Sequence, residues 1–318
     1  MATVSDAGAA PRDRAPRDRG LRRQQHAENF PVALRLLPRQ LRTGLVAVYD
    51  VARVIDDLGD QAVGDRTVLL TAFGRDLATI WDGDRTQHQS PQQQSPRHLV
   101  LRRLAPVVVA HRLDREPFER LIQANLTDQR VHRYATYAQL RGYCTLSADP
   151  VGRIVLALFG VGSPAAIELS DRVCTALQLI EHWQDVAEDR RAGRVYLPQE
   201  DLAAFGVAEA ELDGAVASPA LRRLMAFQVH RAAELLDSGA PLVRLLHGWA
   251  RLAVAGYVAG GRAALDALRR EQGDVLAGPP RPRRRDVARH LPLVLFKDHQ
   301  PPRRRSSTAT NRRRQKVG

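Results

Sequence analysis

Two runs of acidic residues have the spacing that metal chemistry needs. Asp56 and Asp60 stand four apart, and Gln178, Glu181, Asp185 and Asp189 recur at steps of three and four. On a helix, each set falls on one face. Residues four apart sit about 6 Å apart along the axis, within reach of one hard cation or of two adjacent ones. Mg2+ takes oxygen ligands, keeps waters and is commonly shared between carboxylates and a substrate phosphate. Two such faces opposed across a bundle would trap a diphosphate through bridging metals, which offset the leaving-group charge during C–O cleavage. Apolar helices behind them would house a long hydrocarbon and shield a carbocation from water. Either pair alone reads equally well as a solvated helix end, because single short motifs carry a high false-positive risk. The two together, in a helical chain of little net charge, favour metal–diphosphate chemistry.

Helices must position these residues. Ala, Leu and Arg are abundant and are good helix formers, aromatics are only 5%, and alternating strand patterns are scarce. Over 39–60 an apolar row (Leu41, Leu45, Val48, Ala52, Ile55) runs beside a polar row, Tyr49, Arg53, Asp56 and Asp60. Arg53, one turn before Asp56, reads either as half of an i,i+3 ion pair, worth about 0.2–0.5 kcal/mol, or as an anion holder beside a metal. A short helix is expected from Asn29–Pro31 to Leu36–Pro38, with Asn29 as cap. Helical patterns follow at 66–81, 98–111 and 117–128, with a low-complexity loop at 82–97. After a connector at 129–136, the pattern of Tyr137–Leu146 is interrupted at Pro150 and Gly152, which permit a kink and a close backbone approach. The apolar run 153–160 continues it. One helix from Pro164 to Asp189 carries the second acidic face and stops in Arg190-Arg191-Ala192-Gly193. A loop at 194–198, a short helix at 199–205 and long helices at 218–238 and 241–271 complete the chain. The expectation is one all-α domain over 24–272, between a disordered basic arm, 1–23, and an Arg/Pro-rich tail, 273–318, also read as disordered.

With 318 residues the chain can bury one large core or two ordinary ones. Its net charge of +13 sits at the ends: 281–318 carries +11, 1–23 carries +3, and 24–280 is left at −1. Nucleic-acid binding would want a basic face on the fold itself, so no nucleic acid is expected. Basic tails solvate, or touch anionic lipid weakly. Cys144 and Cys174 are the only cysteines and make no disulfide framework. No signal-peptide core and no run of about 18 uninterrupted apolar residues occurs. The expected location is cytoplasmic, with weak peripheral contact at the inner face of the membrane allowed.

Five motifs in order then carry a resemblance. They are Glu28-Asn29-Phe30-Pro31-Val32 with Arg35-Leu36-Leu37-Pro38; Tyr49, Arg53, Asp56-Asp57 and Asp60; Tyr143-Cys144 with Ser147-Ala148 and Pro150-Val151-Gly152; Gln178 with Trp183-Gln184-Asp185 and Asp189; and Gly193-Arg194-Val195-Tyr196-Leu197-Pro198. Over roughly 24–272 the chain resembles the squalene/phytoene synthase family of head-to-head prenyl synthases, most of all its hydroxysqualene synthase branch in bacterial hopanoid biosynthesis. The resemblance implies the all-α isoprenoid-synthase bundle with a central cavity. It implies two or three Mg2+ ions, with Asp56 and Asp60 as the first metal site and Glu181, Asp185 and Asp189 as the second. Arg53 and Arg194 would touch diphosphate, and Tyr49, Tyr143, Tyr196 and Gln178 would face the reaction cavity with Arg53. The branch converts presqualene diphosphate to hydroxysqualene, releasing diphosphate and quenching a rearranged carbocation with water. No NADPH is expected, and the chain has no strand-associated G-x-G-x-x-G. Sister enzymes of the squalene pathway would be partners. The chain departs from the family pattern at Glu181, usually Asn, at His182, usually apolar, and at Asp50. Two other readings stay open: condensation of two prenyl diphosphates to squalene or phytoene, and a non-catalytic binding or assembly protein. The second ranks low, because such proteins lose the acids that this chain keeps.

Overall fold

The computed structural model describes residues 37–82 and 96–297. The expected helix at 29–36, the arm 1–23, most of the 82–97 loop and residues 298–318 lie outside them. The described residues are helical, apart from turns, loops and one isolated parallel bridge between Arg133 and Val195.

Four helices build a first core. α1 (Arg39–Asp60) buries Leu45, Val48, Val51 and Ile55, the apolar row of the sequence with Val51 added. α2 (Arg66–Asp82), α3 (Leu99–His111) and α4 (Glu116–Asp128) close around it with Leu70, Leu101, Leu104 and Phe118, each fully buried. Pro117 sits in the first turn of α4, where its missing N–H costs nothing. α5 (Tyr137–Ser147) starts at Thr136, whose hydroxyl caps the Gln139 N–H.

Pro150 does not kink a continuing helix, as one of the sequence expectations allowed. It occupies the first turn of a new one, α6 (Asp149–Leu158). Gly152 does permit the close approach. A Cβ there would fall 2.5 Å from both Cys174 Sγ and Ser170 Oγ, so α6 lies against the next helix with no room for a side chain. Gly152→Val is expected to destabilise the protein by about 1–3 kcal/mol through overpacking, read from the urea midpoint.

The same junction holds a buried carboxylate. Asp149 accepts from Thr175 Oγ1 at 2.8 Å, and burial, with Asp171 nearby, pushes its carboxyl up to about 6. The native state therefore binds this proton more tightly than the unfolded chain. Stability falls as the pH rises from the ordinary carboxylate value, 3.8, through about 6, and nothing is lost below that window. Asp149→Asn keeps an acceptor for Thr175. It is expected to stabilise the protein by on the order of 1–2 kcal/mol at neutral pH and by nothing near pH 4, measured by urea unfolding at both values.

The second, larger core surrounds α7 (Pro164–Gln184), which packs on α6, on α10 (Pro219–Gly239) and on α12 (Gly248–Arg270). Trp183 is its largest fully buried side chain. The expected helix Pro164–Asp189 is broken at Asp185, which leaves helical geometry at φ −103° and ψ 16° and hands over to α8 (Val186–Arg191). Hydrogen bonds still span the break, from Asp185 N to Glu181 O at 3.0 Å and from Asp189 N to Asp185 O at 2.8 Å. The acids thus stay one turn apart. α9 (Gln199–Phe205) follows. The expected helix 241–271 is also two: α11 (Leu242–Leu245) and α12 are separated by extended Leu246 and His247, and α12 opens on Gly248 at φ +54°.

Residues 273–297, assigned to the tail by the sequence, extend the fold instead. α13 (Arg284–Pro292) and a π-helical turn at Leu293–Lys297 pack on α12. Their inward face mixes charge with apolar side chains: Asp286 pairs with Arg270 at 2.6 Å, His290 with Asp266 at 2.7 Å, and Val294 is buried one turn on. Val287, Leu291 and Leu295 pack against the core beside them, but so short an apolar row among Arg and Pro is hard to read, which is why composition suggested disorder.

Candidate active site

The two acidic motifs sit on the two cores. α1 ends at Asp60, and its last turn lies hard against α4. A Cβ on Gly59 would come 2.1 Å from Asn125 Oδ1, and Gln129 Nε2 donates to Gly59 O at 3.0 Å. This approach lets Asn125 Nδ2 reach Asp56 Oδ1 at 3.3 Å. Asp56 keeps contact with solvent, and partial desolvation, with Asp60 and Asp57 beside it, shifts its carboxyl up to about 6 against the pull of Asn125 and Arg53. Arg53 pairs with Asp57, one turn on, at 3.0 Å, and its charge also lowers the Asp56 carboxyl against the burial that raises it. Tyr49 is half-buried one turn before Arg53.

The second motif is more crowded. Burial is the main cause that lifts Asp189 to about 7; Asp185, Glu181 and Glu188 add to it. Asp185 is raised too, by burial and by Glu188, while Arg281 opposes the rise. Arg281 comes from the segment before α13, held there by a hydrogen bond from Gln184 Nε2 to Pro280 O. Sequence reasoning missed Arg281 because it lay in the presumed tail. Glu181 is exposed on the same row.

Arg194 stands between the motifs. Val195 N donates to His132 O at 2.9 Å and Gln199 N to Tyr134 O at 2.9 Å, so 194–198 runs extended along the connector. Alternation along an extended segment sends Arg194 and Tyr196 to one side. Arg194 Nη2 donates to Asp60 Oδ1, and its guanidinium also lowers the carboxyls of Asp128 and Asp189 against the burial that raises them. Tyr196 stacks on His182 at 3.7 Å and faces Tyr134 at 5.9 Å and Tyr143 at 6.0 Å. Gln178 Nε2 lies 3.4 Å from His182 Nε2. His182 is buried, and desolvation, reinforced by Arg194, lowers its pKa to about 3, so the ring is neutral and packs rather than titrates.

Asp128, at the end of α4, was not singled out by its spacing. It is buried, accepts from the Tyr143 hydroxyl at 2.7 Å, and leaves Oδ1 buried without a hydrogen-bond partner. Burial pushes it up to about 6, with Asp60 and Asp56 adding to the rise. Its signal in the sequence was only its place one residue before the connector.

The structure therefore brings Asp60, Arg194, Tyr143, Tyr196, Asp189 and Asp128 into one electrostatically linked group, with Asp56 on Asp60's helix and Asp185 and Gln178 leading up to Asp189. Among the described residues no three His, Cys, Asp or Glu side chains converge closely enough to hold an ion by themselves. The donors are nonetheless all hard oxygens, and Asp56 and Asp189 are raised in part by their own neighbours' charge. Such a set fits Mg2+, whose charge would relieve that repulsion.

The described residues thus form a helical bundle in which Arg194 pairs with Asp60 of the first carboxylate motif and acts on Asp189 of the second, beside a wall of aromatic rings. The squalene/phytoene synthase family model matches residues 23–289, and the chain belongs to that family. It is 31% identical over 223 residues to the hydroxysqualene synthase of Zymomonas mobilis, covering 69% of this chain and 71% of that protein. It is 29% identical to the 15-cis-phytoene synthase of Synechococcus elongatus, over 79% of this chain and 82% of the relative. Among solved structures, squalene synthase HpnC from Alicyclobacillus acidocaldarius is 37% identical with a TM-score of 0.71, covering 80% of this chain and 93% of that one. The family match reaches into α13, which agrees with a fold that continues past residue 272.

Proposed function

We propose that this protein converts presqualene diphosphate to hydroxysqualene and diphosphate in a Mg2+-dependent reaction that uses no NADPH. The observation that carries the reading is the Arg194 bridge. It places a fixed cation against Asp60 of the first motif and within the field of Asp189 of the second, where a diphosphate would be handed its countercharge. Asp56 and Asp60 on one side, and Asp185 and Asp189 with Glu181 on the other, would hold Mg2+. The metal supplies Lewis-acid neutralisation of the departing diphosphate.

The chain's own residues do the rest. Arg194, Arg53 and Arg281 bind and orient the anion, with guanidinium forks suited to phosphate oxygens. Tyr134, Tyr143 and Tyr196 present ring faces to the carbocation that forms when the C–O bond breaks, and desolvated cation–π contacts are worth about 2 kcal/mol. Tyr49 and Gln178 would face the same substrate, as the family resemblance implies. When water adds to the rearranged cation it must lose a proton. Asp128, with a carboxyl poised near neutrality and joined to the Tyr143 hydroxyl, is placed to take it. Hydroxysqualene synthases of Zymomonas mobilis and Rhodopseudomonas palustris, 31% and 33% identical, support this choice of reaction.

One observation favours a second reading: the phytoene synthase relatives align over a longer part of the chain. Parallel incubations with Mg2+ separate the two. Presqualene diphosphate is expected to give hydroxysqualene, whereas farnesyl or geranylgeranyl diphosphate alone gives no squalene or phytoene. The reverse pattern overturns the assignment.

A further inference from the structure

The outer face of α13 and of the turn after it is left open. Arg285, Arg289, Pro292 and Phe296 recur along it at steps of four, three and four, and all are exposed, Phe296 at 74%. The opposite stripe, through Asp286, His290 and Val294, is the one that anchors to α12. Arg251 Nη2 donates to Leu295 O at 2.9 Å and so sets the turn beside the first turns of α12, where Trp249 and Leu252 are exposed at 38% and 37%. At the other end of α13 a groove is lined by five arginines, among them Arg283 and Arg285, against Asp266 and Asp286. Both acids are already paired, with Arg289, His290 and Arg270. Among the described residues Arg283 and Arg285 form no ion pair.

The sequence continues the same charge. Residues 298–318 follow directly on this turn and carry six Arg and one Lys against one Asp. A single exposed apolar side chain needs no explanation. Aromatic rings and a leucine edged by guanidiniums, with a basic segment attached, match what an anionic bilayer recognises: rings settle among the headgroups and arginines meet phosphates. A nucleic acid would use the arginines but would leave Leu252 and Pro292 facing water. No described helix is long and apolar enough to cross a membrane, so such a contact is peripheral.

We propose that the outer face of α13, with Phe296, Trp249, Arg283 and Arg285, docks this protein on a bilayer of anionic phospholipid. The docking does not depend on which prenyl diphosphate the site takes, and its test needs no turnover.

The full chain is sedimented with vesicles of phosphatidylglycerol or of phosphatidylcholine at two salt concentrations. Binding to phosphatidylglycerol that weakens in salt, with little binding to phosphatidylcholine, is expected. The double variant Arg283→Glu, Arg285→Glu is expected to partition at least about tenfold less, at the several-fold cost per surface charge that anionic lipid exacts. Phe296→Ser is expected to weaken binding at both salt concentrations, with the melting temperature unchanged. Should Phe296→Ser lower the melting temperature, the exposed arginine pair carries the test. Equal binding to both lipids, variants that bind as the parent does, or a parent that binds RNA or self-associates instead of binding vesicles would overturn the proposal.

Discussion

Asp56→Asn is expected to cost turnover about a thousandfold, on the scale of losing one fixed electrostatic group from a preorganised site, while leaving the fold at least as stable as the parent at neutral pH. The two halves of this expectation share one cause. Asp56 has its carboxyl raised to about 6, chiefly by partial desolvation at a position still open to solvent and further by Asp60 and Asp57. Its ionised form therefore costs the empty protein stability above that pH, and an amide removes the cost. Asn keeps the oxygen that accepts from Asn125 Nδ2. Only a ligand that needs the negative charge loses by the change. Steady-state turnover and urea unfolding on the same preparation check both halves. A variant that is both inactive and unstable would show that Asp56 serves the fold instead. Asp185→Asn is expected to behave in the same way, since burial and Glu188 raise its carboxyl too. Stability given up at a functional position is the usual sign of this trade.

Arg194→Gln carries the second large effect. It removes the one cation shared by Asp60, Asp128 and Asp189. The carboxyls of Asp128 and Asp189 then rise further, because like charges and burial no longer meet opposition. Turnover is expected to fall about 10^2- to 10^3-fold, and inorganic diphosphate with Mg2+ should bind at least about tenfold more weakly by calorimetry. In contrast to Asp56→Asn, stability at neutral pH is expected to fall, as a partly buried ion pair loses one partner. Lys at the same position keeps the charge but not the fork, so it should restore stability more than turnover. Unchanged diphosphate binding in Arg194→Gln would remove the arginine from the ligand set.

Much of this was legible in the residues. The row Leu45, Val48 and Ile55 gave α1 its buried face, and the polar row beside it carried Asp56 and Asp60 to the place where α1 ends. The helix starts at Tyr137 and Pro164, read from pattern alone, stand in the structure, where Thr136 and Ser163 cap them. What the sequence hid follows from what periodicity cannot see. The breaks at Asp185 and at Leu246–Gly248 interrupt apolar periods that continue on either side, so the pattern alone read each as one helix. α13 is held by Asp286–Arg270 and His290–Asp266, pairs far apart in sequence, and its short apolar row Val287, Leu291, Val294 and Leu295 is outnumbered by Arg and Pro around it. Arg281 and Asp128 belong to the site only because the chain folds back. One approaches Asp185 from beyond α12, and the other meets Tyr143 across α4 and α5. The Arg194–Asp60 contact spans 134 residues and appears in no local motif.

If the two acidic motifs and Arg194 drive a metal-dependent release of diphosphate, with water closing the cation, then both metal and solvent leave a signature in the product. The most direct measurement supplies presqualene diphosphate in 18O-labelled water, without NADPH, with either Mg2+ or a chelator. Hydroxysqualene carrying one solvent oxygen, formed together with diphosphate only when Mg2+ is present, is the predicted result. Diphosphate release that survives chelation, or a product with no oxygen from solvent, would contradict it.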